Sequence, residues 1–273
     1  MTTDDGDAVA DSRRPTTSPR ETPTDSRTVL GAVWARVRRD PPLLIPFAVT
    51  GVLLALADGI RTRDPIPTEP TAALDQTVSV QFSLYPSGTA RTARGVGALV
   101  DLETPYLLWG VGIELAVPLA VGVAGWLTIT RVLDGQRRPD ALARYLCLLV
   151  ALSLVPRLLG SPTADVGLSV GLVALLAVSF VSVRLFLVPA FLATGQGFGA
   201  AIRNSASRSR GQGWTLLGLV LVLGIGSWGL ATVPIAGAFL STAIVAPGHA
   251  VAMAVVLDRR FPSMNGATGR DRR

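Results

Sequence analysis

Lysine is missing from this chain of 273 residues: all 25 basic side chains are arginines, set against 19 acidic ones. Cysteine and histidine occur once each. Each shortage excludes something. A lone Cys147 cannot close an intrachain disulfide, so no disulfide framework holds the fold, and Cys147 reads as a small core residue. A lone His249 cannot supply a histidine-rich metal site. Ser/His/Asp and Cys/His sets have no spare members. No HExxH metal motif and no phosphate-binding glycine loop is present. The sequence therefore predicts no enzyme, no metal site and no cofactor.

Charge of either sign is also scarce. Asp, Glu, Lys and Arg make up 16% of the residues, against roughly 25% in an average soluble domain. Hydrophobic residues make up 49%, gathered in long runs that carry no charge. That distribution excludes an ordinary soluble domain, a disordered chain and a coiled coil. It predicts an all-α fold, a polytopic bundle of transmembrane helices in the cell membrane, with the lipid bilayer as its first partner. The formal net charge of +6 is no sign of nucleic acid. The arginines lie beside the apolar runs, as cytoplasmic anchors of membrane helices do, and no segment is large enough for a folded basic face.

The first 27 residues are Thr-, Ser-, Asp- and Pro-rich and predict a disordered tail with no cleavable signal peptide. From 28 to 39 Val29, Leu30, Val33, Trp34 and Val37 recur at helical spacing, with Arg36, Arg38 and Arg39 toward one end. This predicts an amphipathic juxtamembrane helix over 28–42, or equally an extension of the first span; Pro41 and Pro42 favour a break. Six spans follow, over 43–60, 104–133, 141–159, 166–192, 214–233 and 234–257. The last two divide a stretch of 44 residues without Asp, Glu, Lys or Arg, because one span needs only about 20. Their hairpin falls at 229–237, where Pro234 and glycines permit a reversal. The segment 61–103 is an exposed loop without a catalytic pattern, 160–165 a tight turn, and 258–273 a basic tail. Placing both termini in the cytoplasm puts nineteen arginines inside and five outside, with Arg184 in a span.

Three polar residues fall inside spans. Glu114 sits near mid-depth in the second, where an ionised carboxylate must be protonated, paired or wet. It reads as a proton or cation site, as the structural partner of an arginine, or as a residue close to the outer surface if the span begins later than 104. Arg184, in the fourth span, either snorkels to the nearer interface or pairs with Glu114. His249, in the sixth, either hydrogen-bonds a neighbouring helix or relays protons. Arg157 snorkels at its span end. Pro46, Pro118, Pro156, Pro189 and Pro247 place a proline in nearly every span and suggest kinked helices.

Between the fourth and fifth spans Phe198, Ala201, Ile202, Ser205 and Ala206 lie at helical spacing, with Arg203, Asn204, Arg208 and Arg210 on other faces. This predicts a basic amphipathic helix on the cytoplasmic surface, its Arg203, Arg208 and Arg210 placed to meet anionic headgroups or a protein partner. Gly135-Gln136 followed by Ala141 echoes Gly195-Gln196 followed by Ala201, a hint of a duplicated unit.

The run from Arg184 through Pro189, Gly195, Gly197, Ala201 and Ser205 to Gly211 and Trp214 resembles a stretch of about thirty residues in a group of prokaryotic, many of them archaeal, six-helix membrane proteins. These are related to the membrane domain attached to some glycerophosphodiester phosphodiesterases. The hydrolytic domain of the fused members has no room here, so no catalytic residue carries over. The resemblance implies an integral membrane module. The residues themselves point to two functions: a non-catalytic scaffold binding lipid or a partner through its basic cytoplasmic helix, or, alternatively, a transporter or permease using Glu114 and Arg184 in the bundle interior.

Overall fold

The computed structural model describes residues 26–70, 83–90, 92–100, 102–159 and 168–258. The predicted tail over its first 25 residues, the turn at 160–165 and the basic tail beyond Asp258 lie outside them. Helix α1 (Ser26–Arg39) ends at Asp40, and a single 3-10 turn, Pro41–Leu44, leads into α2 (Ile45–Arg63). The two prolines force this break, since neither can donate a helical hydrogen bond. So α1 is a separate helix and not the start of the first span. The other helices are α3 (Thr104–Val132), α4 (Pro139–Leu159), α5 (Leu168–Leu185), α6 (Val188–Ala193), α7 (Phe198–Arg208), α8 (Gly213–Ala231), α9 (Gly237–Leu240) and α10 (Ala246–Asp258). A two-residue ladder, β1 (Glu69–Pro70) with β2 (Thr92–Ala93), is the only strand pairing among the described residues.

Among the described residues five helical segments are long and apolar enough to cross a membrane: Pro41–Arg63, Thr104–Val132, Leu176–Ala193, Gly213–Ala231 and Gly237–Asp258. This is the make-up of a polytopic membrane protein. They overlap five of the six predicted spans. Helix α4 covers the remaining one but is not among the five. The expected reversal near 229–237 is a turn over 232–236 in which Ile235 takes a positive φ of 64°.

The prolines play different parts. Pro46 and Pro189 sit in the first turns of α2 and α6, where no N–H is needed, so they start helices and do not kink them. Pro118 lies inside α3. Pro247 follows a π-helical turn, Ser241–Val245, that joins α9 to α10. Its ring cannot accept the carbonyl four residues back, and the widened turn relieves that conflict.

The core runs through the bundle, with Phe47, Ile129, Tyr145, Leu149, Phe186, Leu219 and Met253 all fully or almost fully buried. Helix α10 packs against both α3 and α1. Val29 and Val33 of α1 enter that same core. The helix therefore caps the bundle and does not merely rest on a surface. Outward-facing positions are apolar too: Val49, Val52, Leu56, Leu172, Val178 and Ile225 are exposed, as lipid-facing side chains are. Cys147 belongs with them. It is exposed, not a core residue, because the buried stripe of α4 runs through Ala141, Tyr145 and Leu149 and leaves 147 on the far side.

The bundle has two unlike ends. One carries α1, the α3–α4 turn, α7 and the end of α10, and is rich in arginine. The other carries the described residues between Asp64 and Glu103. That segment is not simply an exposed loop. Residues 83–90 turn into the bundle. The Thr89 N–H donates to Ser241 Oγ at 3.0 Å, and its hydroxyl lies 2.9 Å from Ser227 Oγ. Gly88 passes so close to Thr242 that a side-chain carbon at position 88 would collide with its hydroxyl and backbone. Pro86 is buried and faces Gly125 of α3. Backbone that is neither helix nor barrel is stable at membrane depth only when protein groups satisfy it, and the Ser241 hydroxyl does so for the Thr89 N–H.

Candidate functional site

The loop end holds the densest buried charge among the described residues. Asp58 and Arg61 stand three residues apart on the last turns of α2, hence on one side of it. Arg61 donates from Nε to Glu114 Oε1 at 2.7 Å and from Nη1 to Asp58 Oδ1 at 3.1 Å. The three side chains are 2%, 6% and 9% exposed for Arg61, Glu114 and Asp58. Thr92, on β2, donates its hydroxyl to the same Asp58 oxygen at 2.8 Å. So the ion pairs also fasten the returning loop to α2.

A second cluster adjoins the first. Arg94, buried, donates from Nη2 to Asp64 Oδ2 at 2.9 Å, and the Trp109 indole N–H donates to the same oxygen at 3.0 Å. The Ile66 N–H donates to the other oxygen at 3.2 Å. Burial by itself pushes the Asp64 carboxyl up, but the Ile66 N–H, Arg94 and the Trp109 indole outweigh it and hold the group below the usual carboxylate value.

This placement decides one alternative and corrects one expectation. Of the readings open for Glu114, the structural partner of an arginine is the one seen, and that arginine is Arg61, not Arg184; Arg61 lies just past the predicted end of the first span at Ile60. The segment 61–103 is also not uniformly exposed, since Arg61, Ile66, Thr89 and Arg94 are buried. Asp58 was legible: it is a carboxylate within the first predicted span, and its spacing to Arg61 is that of a helical ion pair. For Arg94 no local signal exists, because only the fold-back of the loop brings it to Asp64.

Arg184 serves the opposite end. Its guanidinium lies 5.0 Å from the Phe180 ring and donates from Nη1 to the Ala206 carbonyl at 2.9 Å. Ser205 completes the joint. Its hydroxyl donates to the Arg184 carbonyl at 2.6 Å and accepts the Leu187 N–H at 3.2 Å. These bonds serve the backbone where α5 breaks before α6, and they hold α7 by its Ala201–Ser205 face, both residues fully buried. The other faces of α7 stay open. Phe198 and Ile202 are exposed apolar side chains, 39% and 46% accessible, and Arg203 is exposed beside them. Arg210 is exposed in the following turn, and Trp214 opens α8 with 88% accessibility. Arg208 differs from its two neighbours: it lies half-buried over Phe191, 5.1 Å from the ring centre.

The rest of this end is knitted together by arginine. Arg131 grips Asp40 through two bonds of 2.8 Å, and Arg36 reaches the Val132 carbonyl at 3.3 Å. Arg144, on α4, donates to the Gly195 carbonyl at 3.0 Å, tying α4 to the turn after α6, whose sequence echoes the α3–α4 turn. Both turns end a helix with a residue at positive φ, Asp134 at 48° and Gly195 at 91°. In each, the next N–H bonds back to the carbonyl five residues earlier, the Schellman arrangement. The caps are offset by one position from the sequence match.

His249 is buried and stacks on Phe186 with ring centres 5.4 Å apart, wedged against the α5–α6 break. The Arg157 side chain lies outside the described residues. No protein-family model matches the chain, and no curated protein or solved structure matches it.

Proposed function

We propose that the protein is a non-catalytic, six-span membrane module, both termini cytoplasmic, that binds anionic lipid headgroups through α7. The observation that carries this reading is the way α7 is mounted. Ser205 and Ala201 fix one face against the bundle, so Phe198 and Ile202 are presented on one flank and Arg203 on the next. An apolar flank beside arginine is the pattern of a helix seated at the headgroup boundary. Trp214 and Trp34, both exposed at the same end, add the aromatic anchors of such a boundary. Of the three predicted arginines, Arg203 and Arg210 carry the contact, while Arg208 is held over Phe191.

The arginine bias of the short segments supports the orientation, and the span-length helix α4 supports six crossings. The resemblance of residues 184–214 to the membrane domain of phosphodiesterase-linked proteins supports a membrane-module role. A protein partner on the same face is the other form of this reading. A transporter would have to work through Arg61 and Glu114, since Glu114 and Arg184 hold different partners at opposite ends of the bundle.

The test is native mass spectrometry in mild detergent with added phosphatidylglycerol or phosphatidylcholine. The wild type retains phosphatidylglycerol in preference. The double variant Arg203→Ala/Arg210→Ala loses most of that preference while staying folded, and Arg208→Ala alone instead loosens the bundle. Undiminished retention in the double variant sinks the reading.

A further inference from the structure

A groove of about 730 Å³ opens on the membrane face of the bundle at the loop end, between the last turns of α2 and the first turns of α3. Its floor is Ala55, Leu56, Gly59 and Ile60, and Tyr106 and Trp109 stand along the opposite wall. All six lie within two of the membrane-length segments, Pro41–Arg63 and Thr104–Val132. Leu56, Tyr106 and Trp109 are each more than half exposed, although α2 and α3 pack closely elsewhere.

One end of the groove is charged in an unequal way. Arg63 and Asp64 both line it. The Asp64 carboxylate is taken up by Arg94, the Trp109 indole and the Ile66 N–H. Arg61, on the same helix, points inward to Asp58 and Glu114. Arg63 is exposed and has no ion pair among the described residues. The groove thus combines an apolar slot, one wall with two aromatic side chains, and at its end a guanidinium that has no ion pair among the described residues. That is the complement of a phospholipid: chain in the slot, phosphate on the arginine.

We infer that this groove is a specific site for one anionic diacyl phospholipid, its phosphodiester held by Arg63 and one acyl chain laid between Ile60 and Trp109. The site is independent of α7 and stands on other residues at the other end of the bundle.

Trp109 serves as the reporter, read as the difference in fluorescence between the wild type and Trp109→Phe in nanodiscs. The probes are phosphatidylglycerol and phosphatidylcholine brominated on their acyl chains, at equal mole fraction. Brominated phosphatidylglycerol is expected to quench the Trp109 component at a mole fraction about fivefold lower, the scale of one arginine at an anionic headgroup. Arg63→Gln removes the difference and Arg63→Lys keeps most of it. Gly59→Leu fills the floor, where a side chain meets open space, and lowers quenching by both lipids. Equal quenching by the two lipids in the wild type overturns the inference, and so does a preference that survives Arg63→Gln. Because Trp109 reports only this groove, failure here leaves the reading of α7 standing, and the Arg203 and Arg210 variants leave this quenching unchanged.

Discussion

Arg61 and Glu114 meet at 2.7 Å across the α2–α3 interface, and each is almost wholly withdrawn from solvent. Two charges removed from water together are stable only with close geometry and further hydrogen bonds. Asp58 and Thr92 supply those bonds around them.

Truncating one partner strands the other, which is where buried pairs exact their cost. Glu114→Ala should lower stability by about 3 kcal/mol or more, and Glu114→Gln, which still accepts a hydrogen bond, by less. Unfolding curves in mild detergent decide this. A Glu114→Ala variant as stable as the wild type would mean that the pair is not buried as described.

Ser205 serves two backbone groups at once. Ser205→Ala leaves the Arg184 carbonyl and the Leu187 N–H without that oxygen and should cost about 1–3 kcal/mol. The loss should be local, with faster hydrogen exchange across α7 and little change in α2 and α3. Unchanged exchange in α7 would count against Ser205 as its anchor.

Gly88 lies where no side chain fits. Gly88→Val should cost about 1–3 kcal/mol through overpacking against Thr242 and push residues 83–90 toward water. A cysteine at Ser87 in a Cys147→Ser background tests this. It should resist a water-soluble maleimide with Gly88 present and react once position 88 is valine. Equal labelling of both proteins would refute the fold-back.

Asp64 titrates in a definite direction. Its carboxyl is held below the ordinary value, so the folded state binds its proton less readily than the unfolded chain. The stabilisation is complete above the ordinary carboxylate range, about pH 4, and is lost as pH falls through the lowered folded value. Trp109 fluorescence should follow that transition, because its indole donates to Asp64. Asp64→Asn should flatten the curve. An identical acid transition in that variant would assign it to another group.

Most of the bundle was legible because apolar runs and helix breakers are local properties. Pro41 and Pro42 mark the break after α1, and the uncharged run from Trp214 to Leu257 divides where Pro234 lies; helical spacing gives α7 as a helix, but of Phe198, Ala201, Ile202 and Ser205 only Ala201 and Ser205 are buried. The polar core was legible only in part. Glu114 stood out by its depth, but its partner is chosen by the antiparallel register of α2 on α3, which no single span encodes. The loop was harder still. Arg94 and Thr89 look like ordinary surface residues in sequence, and only contacts with distant helices bury them. Cys147 misled because a lone cysteine is usually interior, whereas outward positions here face lipid and welcome small apolar groups.

The hydrogen bonds of Thr89 also set an order of events during synthesis. Ser227 and Ser241 stand 138 and 152 residues further along the chain. When the segment around Thr89 leaves the ribosome, the helices that will satisfy it have not been made. It must wait in water or at the interface, and it can settle into the bundle only after the last hairpin, α8 to α10, has entered the membrane. Residues 83–90 are therefore among the last parts of this protein to find their place, and a chain cut short before Gly213 leaves Thr89 without these two partners.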